Sequence, residues 1–402
     1  MADTPADAVS GLSAARPALI RALNEQLLLE RIRVSGPFSR ADLARASGLS
    51  KPTVSLALAN LERAGLVRLA GRRKGVPGRT ALLYEVRPDA GFVLGLDIGM
   101  QYLRGAVADL AGVVRARSSR PVRTASAVER VAELVRLADD LCADAGITRP
   151  AVTQTVVGSP GVYDRQRDAI TLTGGLPGWD QPEALYALRS AFGAAMTIEN
   201  DVDAAALAER AHGHGRNVDD FTFVHIGTGI GMGLVVGGRL HRGAHGVAGE
   251  IAFMPPLFQP QPSQHPPDEV RRRGALETAA AADGIVRAAR HAGMPDAASA
   301  ESVFAAAARG DSRAAEVVSA EARLVAGAIT SVITVVDPSL VVLGGGVGQA
   351  PGFADAVREA LATMAPVMPE VRVSALGTDV VVNGCLAEGA ALAWEKLIAA
   401  LP

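Results

Sequence analysis

Asn200 and Asp201 close an apolar run, MTIEND, in a chain of 402 residues. A carboxylate at the end of a strand can take a proton from a ligand hydroxyl, or simply accept its hydrogen bond. The same pair can cap a helix beginning at Ala204, the commonest use of Asn and Asp in such a place. Glycine-rich stretches offer a second chemistry: LGLDIGMQYLRG, with Asp97 and Gly99; GTGIGMG, with Gly227, Thr228 and Gly229; and LGGGVG, around Gly345. Such turns let backbone N–H groups approach a phosphate, but a lone one also serves as a tight hairpin without any ligand. A third chemistry is cationic, because Arg72, Arg73, Lys74 and Arg79 crowd around a Gly-Val-Pro-Gly turn, where they can meet nucleic-acid phosphates.

Composition bounds the elements that must carry these groups. With 49% apolar and 20% charged residues, the chain can bury more than one core. Its net charge of −2 hides an asymmetry: residues 1–90 hold 14 Lys and Arg against 8 Asp and Glu, a net of +6, which leaves −8 for the rest. Cys142 and Cys385 are the two cysteines, too few for a disulfide framework or a cysteine zinc site, and a reducing compartment is expected. The first residues carry acids and no signal-peptide core, and the most apolar later run is broken by Asp337 and Pro338. A cytoplasmic protein without a membrane span is therefore expected.

Residues 1–16 read as a disordered tail and residues 17–88 as one small domain. Leu19, Leu23, Leu27, Leu28 and Ile32 recur at helical spacing and predict a first helix with one buried stripe. Gly36 and Pro37 end it, Ser39 caps a short second helix, and Ser50 caps a third with Pro52 in its first turn. Val54, Leu58 and Leu61 face inward on that third helix. Its free face opens with Ser50, Lys51, Thr53 and Ser55, short hydrogen-bonding groups and one cation, as insertion into a DNA major groove requires. Arg40 adds a cation at the start of the second helix. Two short strands around the basic turn form a wing, completing a winged helix-turn-helix. A protein-interaction domain with a solvated basic loop is the alternative. The SRADLARASGLSKPTVS segment also resembles the DNA-reading helices of sugar-responsive bacterial repressors.

From residue 92 onward strands and helices alternate. Two similar strand-turn-strand units, at Asp97 and at Gly227, predict a duplicated α/β architecture with a cleft between lobes. With GSPG (residues 158–161), LPGWD, ENDVDAAALAE, GVAGEIAF and LGGGVG in order, this part resembles the ROK family of repressors and kinases. The resemblance implies a two-lobed actin and hexokinase-like (ribonuclease H-like) fold over residues 92–402, with a C-terminal helix packed back on the first lobe. Including the front segment, nearly the whole chain resembles the family's transcriptional-repressor branch.

The resemblance also implies roles. Asn200 would orient a sugar hydroxyl and Asp201 would stand at the general-base position. Glu250 and Glu277 would contact the sugar, although a first-turn helix Glu is also ordinary dipole complementation, and Ser159, Pro160 and Gly161 would lie along it. Departures from the family pattern matter as much. Asp203 stands where an Asn is usual, Gly175 where another Asn would contact a hydroxyl, and Phe253 where a histidine would serve. The stretch after Phe253, through Glu277, carries no cysteine, and His265 alone cannot hold zinc, so no metal and no cofactor are expected. In family kinases a second glycine, a threonine and a basic residue at the first turn converge on ATP. Here that turn reads Met100, Gln101 and Leu103, so Asp97, Gly99, Gly227, Thr228, Gly229 and Gly345 read as vestigial nucleotide turns.

The leading reading is a sugar-responsive regulator without kinase activity, a homodimer or higher homo-oligomer that leaves double-stranded operator DNA when a sugar or sugar derivative binds. A sugar kinase with a regulatory DNA-binding appendage is the alternative. A regulator that has lost sugar sensing ranks last, because Asn200, Asp201, Glu250 and Glu277 are costly to keep unpaired.

Overall fold

A capping box fixes the entry to the second helix of the front domain. Ser39 Oγ accepts the Asp42 N–H while the Asp42 carboxylate takes the Ser39 N–H and hydroxyl. The computed structural model describes residues 7–74, 80–173, 176–256 and 267–401. The front domain runs α1 (Asp7–Ser35), β1 (Phe38–Ser39), α2 (Arg40–Ser47), α3 (Lys51–Arg63), β2 (Val67–Lys74) and β3 (Thr80–Val86), with the strands in the order β1-β3-β2. Gly48, in the left-handed region at φ +72, ends α2, and Ser50 caps α3.

Two expectations for α1 fail. The helix starts at Asp7, ahead of the expected start at residue 17, and runs through Pro17. Residues 1–6 lie outside the described residues. The stripe expected to be buried is also only half covered: Leu28, Leu29 and Ile32 are buried, whereas Leu19 and Leu23 are 60% and 54% exposed, because α2, α3 and β3 reach only the later turns of α1.

The first lobe follows, with β4 (Phe92–Ile98), β5 (Tyr102–Asp109), β6 (Val114–Pro121), α4 (Ala127–Asp144), β7 (Val152–Ser159), a small hairpin β8 (Val162–Asp164) and β9 (Ala169–Thr171), α5 (Pro182–Phe192), β10 (Met196–Asn200) and α6 (Asp201–His212). The second lobe holds β11 (Phe221–Ile226), β12 (Ile230–Val236), β13 (Arg239–Leu240), α7 (Pro267–Arg273), α8 (Ala275–Ala280), α9 (Ala282–His291), α10 (Ala300–Ala308), α11 (Ser312–Val336), β14 (Leu340–Gly344), α12 (Gly345–Gly348), α13 (Phe353–Met364) and β15 (Glu370–Val373). The last helix, α14 (Val380–Ala399), returns to the first lobe.

The duplication expected from the two strand-turn-strand units is present. One sheet is ordered β10-β7-β4-β5-β6 and the other β15-β14-β11-β12-β13. In each, the first two neighbouring pairs are parallel and the last two antiparallel. Parallel strands need both faces covered, which explains why β4, β7, β11 and β14 are almost wholly buried. α11 is long and apolar enough to cross a membrane by length and composition, but most of that window is buried in the second lobe's core, among residues such as Val325, Ile329 and Val332.

Helix α14 ties the parts together. It crosses α6 so closely that a Cβ on Gly384 would sit 1.6 Å from the Ala204 carbonyl oxygen. Its buried Val382, Leu386, Ala393 and Trp394 belong to one core with Leu28, Leu58 and Leu61 of the front domain and Val93 and Ala106 of the first lobe.

Candidate functional site

A cleft of about 610 Å³ opens between the lobes. On one side it is walled by the β10–α6 junction and the segment from Gly246 to Glu250, on the other by the second glycine turn and α7–α9. Pro160, Gly161, Asn200, Asp201, Glu250 and Glu277, six of the residues singled out for a sugar, line it together.

Asn200 is the N-cap of α6. Its Oδ1 accepts the N–H groups of Val202 at 2.8 Å and Asp203 at 3.0 Å, and its amide donates to the Gly161 carbonyl at 3.1 Å. Capping and site-building therefore coincide, and the helix starts at Asp201 rather than Ala204. Gly161 sits at φ +84, where a Cβ would meet the Thr171 carbonyl oxygen at 2.5 Å. Ser159 departs from its expected place. It is fully buried, its hydroxyl accepting from Trp179 Nε1 at 2.7 Å and donating to the Pro160 carbonyl at 3.0 Å. It braces the loop from behind, and Trp179 is core. Gly175 and His265 lie outside the described residues.

Burial shapes the acids. It pushes Asp201 up to about 7, with Glu250 and Glu277 adding repulsion and the Val202 N–H opposing it. Burial and Glu277 push Glu250 up to about 7. Asp203, 4% exposed and also at the cleft, is pushed up to about 8 by burial and by Glu199. Beneath them Arg242, on the loop leading to Glu250, binds Glu199 of β10 through Nε at 3.0 and 3.1 Å and Glu388 of α14 at 3.1 Å. The arginine thus joins the cleft floor to the helix that carries the front domain.

The opposite wall is internally paired. Glu277 accepts from Ile230 N–H at 2.9 Å and Arg273 Nε at 2.9 Å, so both of its oxygens are engaged. Arg273 also reaches Asp283 at 2.7 Å and Glu269 at 3.2 Å. Burial alone would raise Asp283, but Arg273 and Arg287 hold it down at about 2. Thr228 and Gly229 line the cleft. Gly227 and Gly345 lie against His225, and burial lowers that imidazole to about 4.

At the first turn the Gly99 N–H donates to the Tyr102 carbonyl at 3.0 Å, and the Gly99 carbonyl accepts from Arg130 at 3.0 Å. Met100, 45% exposed, projects at the cleft. The reading that no cation stands at this turn is corrected: Arg104 folds back to Asp97 at 3.2 Å. It is an internal partner, because Asp97 is itself buried and pushed up to about 7 by burial and Asp201. Among the described residues no group of three or more His, Cys, Asp or Glu is placed to hold a metal ion.

On the front domain Ser50, Lys51, Pro52 and Ser55 are exposed along the start of α3, and Thr53 Oγ1 pairs with Ser50 Oγ at 2.8 Å within the cap. Leu56, 54% exposed on the same helix, was not singled out from sequence. Arg40 is exposed, with its guanidinium 5.2 Å from the Tyr84 ring centroid. Arg72 and Arg73 are exposed on β2, Arg73 binding Asp42 at 2.7 Å. Lys74 ends β2, and Arg79 lies outside the described residues. Sequence reasoning also missed Arg104, His225, Arg242, Arg273 and Asp283. A signal existed for one of them, the Arg273 and Glu277 spacing of a helical ion pair.

Comparison with known proteins places this geometry. The ROK family profile matches residues 93–396, and a Crp-like helix-turn-helix domain profile matches residues 18–84. The xylose repressor of Bacillus subtilis (strain 168) is 26% identical over 235 residues, 58% of this chain and 61% of that protein. The bifunctional enzyme NanE/NanK of Brucella suis biovar 1 is 40% identical over 233 residues, 54% of this chain and 42% of that one. The chain spans about three fifths of the length of the first curated relatives it matches. A crystal structure described as a ROK family transcriptional regulator, homolog of E. coli MLC protein, superposes with a TM-score of 0.76 at 23% identity, covering 94% of this chain and 98% of that one. That likeness extends through the front domain.

Proposed function

The chain belongs to the ROK family, and from that premise we propose that it is a sugar-responsive, DNA-binding transcriptional repressor of the cytoplasm. The observation that carries the proposal is the shared helix: α14 packs on α6 at the cleft and, in one continuous core, on the front domain. A sugar that draws Asp201 and Glu250 together would pull on the Arg242 bridge to Glu199 and Glu388 and so bias the seat of the DNA-reading helix. The effect need be only about 1–3 kcal/mol to change DNA occupancy roughly 5- to 150-fold.

In this reading α3 enters the major groove with Lys51 and Ser55 foremost, Pro52 and the Ser50–Thr53 cap setting its angle, and Leu56 offering an apolar contact for a thymine methyl. Arg40, Arg72, Arg73, Lys74 and Arg79 would meet the backbone. The protein acts as a homodimer on a two-fold site, and the exposed Leu19 and Leu23 of α1 suit contact with a second copy. Asn200, Asp201, Glu250 and the Pro160–Gly161 loop hold the sugar, Asp201 accepting a hydroxyl bond without transferring its proton to chemistry. The nucleotide side supports an inactive kinase, because the Gly99 N–H is spent on Tyr102 and Arg104 on Asp97.

A duplex selected by the full chain from random DNA, labelled and titrated with protein in the presence of a sugar panel, tests the proposal. It predicts a tight duplex that at least one sugar releases. A second reading, sugar kinase with a DNA-binding appendage, draws on the likeness to NanE/NanK and on an Asp201 carboxyl near 7, a value suited to a general base. ADP production across the same panel at roughly 1–1,000 per second, the ordinary enzyme range, would favour it.

A further inference from the structure

This inference rests on the reading that the cleft takes a sugar, and concerns which class. Three carboxylates of the first wall, Asp201, Asp203 and Glu250, have no cationic hydrogen-bond partner among the described residues, whereas Glu277 and Asp283 opposite are tied to Arg273. Asp203 is the most exacting of the three. It is 4% exposed, it lines both the main cleft and a small cavity beside it, and its Oδ1 accepts no hydrogen bond. A buried carboxylate oxygen without a partner is expensive.

The neighbours of Asp203 do not relieve it. Asp201 stands on its own helix, Glu199 on β10 and Glu250 on the loop after β13, all acidic, and Arg242, whose charge favours ionised Asp203, gives its hydrogen bonds to Glu199 and Glu388 among the described residues. Among the described residues no group of three or more His, Cys, Asp or Glu is placed to hold a metal ion, and a donor on an organic ligand can supply the partner that Asp203 lacks. A hydroxyl would complete the hydrogen bond but bring no cation to offset the burial of the acid. An ammonium would supply both, through a charge-assisted bond to a desolvated acid. A phosphate ester would add negative charge to a wall whose acids are already held from ionising by burial and mutual repulsion.

We propose that the preferred ligand of the cleft is an unphosphorylated amino sugar whose ammonium group docks on Asp203. Isothermal titration of the full chain at neutral pH with D-glucosamine, D-mannosamine and 6-amino-6-deoxy-D-glucose, against D-glucose, N-acetyl-D-glucosamine and glucose 6-phosphate, tests it. At least one free amine binds about tenfold or more tighter than glucose, the scale of a hydrogen bond to a charged group. The N-acetylated sugar loses that gain and glucose 6-phosphate binds weakest. In the near-isosteric Asp203→Asn, and in Asp203→Ser as a second variant, the gain of the amine over glucose disappears, and circular dichroism melting confirms that both fold. Equal affinity for amine and neutral sugar, tightest binding of the phosphate ester, or a preference that survives in both variants overturns this inference and leaves the sugar reading standing. No binding by any of the six compounds, with no release of DNA, overturns the two together.

Discussion

Across the cleft, two charged walls face each other with opposite histories of pairing. On the wall of α7, α8 and α9, Arg273 holds Glu269, Glu277 and Asp283, Arg287 shares Asp283, and Glu277 closes on the Ile230 N–H. On the other, burial pushes Asp201, Asp203 and Glu250 up, and among the described residues no cation is hydrogen-bonded to them in place of water. Binding capacity follows unspent hydrogen bonds rather than charge as such. The Arg273 wall has little left for a nucleotide, whereas the Asp201 wall keeps unspent acceptors.

The largest expected effect comes from opening the paired wall. Arg273→Ala strands two acids in a site where Arg273 is only 13% exposed, and urea unfolding should show a loss of roughly 3–5 kcal/mol, as for breaking a buried pair by removing one partner. A loss under about 1 kcal/mol, the scale of an exposed pair, would mean the wall is held by something else.

Next, Asp201→Ala should erase ligand-dependent stabilisation, which for the wild type at a hundred times the dissociation constant is about 2.7 kcal/mol. Thermal shift with any binding sugar measures it, and an undiminished shift would move the ligand away from this wall.

Asp203 sharpens the contrast through pH. Its folded pKa, about 8, lies above the model-compound value of 3.8, so the folded chain keeps a proton that the unfolded chain has lost. Its contribution is therefore present below pH 4 and is lost as pH rises to 8. Asp203→Asn should flatten that part of the stability profile and be more stable than wild type at pH 8.5 by about 1–3 kcal/mol, the usual cost of an unsatisfied buried group. Parallel unfolding curves for the two proteins from pH 5 to 8.5 would contradict this.

The smallest effect extends the same rule to the wing. Arg73 is spent on Asp42, whereas Arg72 is exposed without such a bond among the described residues. Arg72→Ala should weaken binding to all DNA sequences by several-fold and lower the salt slope by about 1, and Arg73→Ala should do less, because part of its charge is already answered. The reverse order in fluorescence anisotropy would refute the ranking.

Local features were legible from sequence because local rules produce them. Ser39, Ser50 and Asn200 cap where a short oxygen side chain precedes an apolar-periodic run, and the two strand-turn-strand units announce the twin sheets. Features made by distant pairing were not. Arg242 and Glu388 are 146 residues apart in the chain, and no periodicity joins them. Glu277 lines the cleft and also braces the second glycine turn, a role hidden from sequence because its partner Ile230 lies 47 residues upstream. Ser159 has a small-residue loop's sequence but points to Trp179, a direction that only packing decides. The start of α1 was not legible, because Pro17 suggests a first turn and the helix begins at Asp7.

The most direct test follows the labelled duplex, bound by the full chain, through two titrations read by anisotropy: first with the best-binding sugar, then with MgATP. The account predicts release by the sugar in the wild type, none in Asp201→Ala, and no response to MgATP in either. Release by MgATP, or a wild-type complex that sugar known to bind the protein leaves intact, would contradict it.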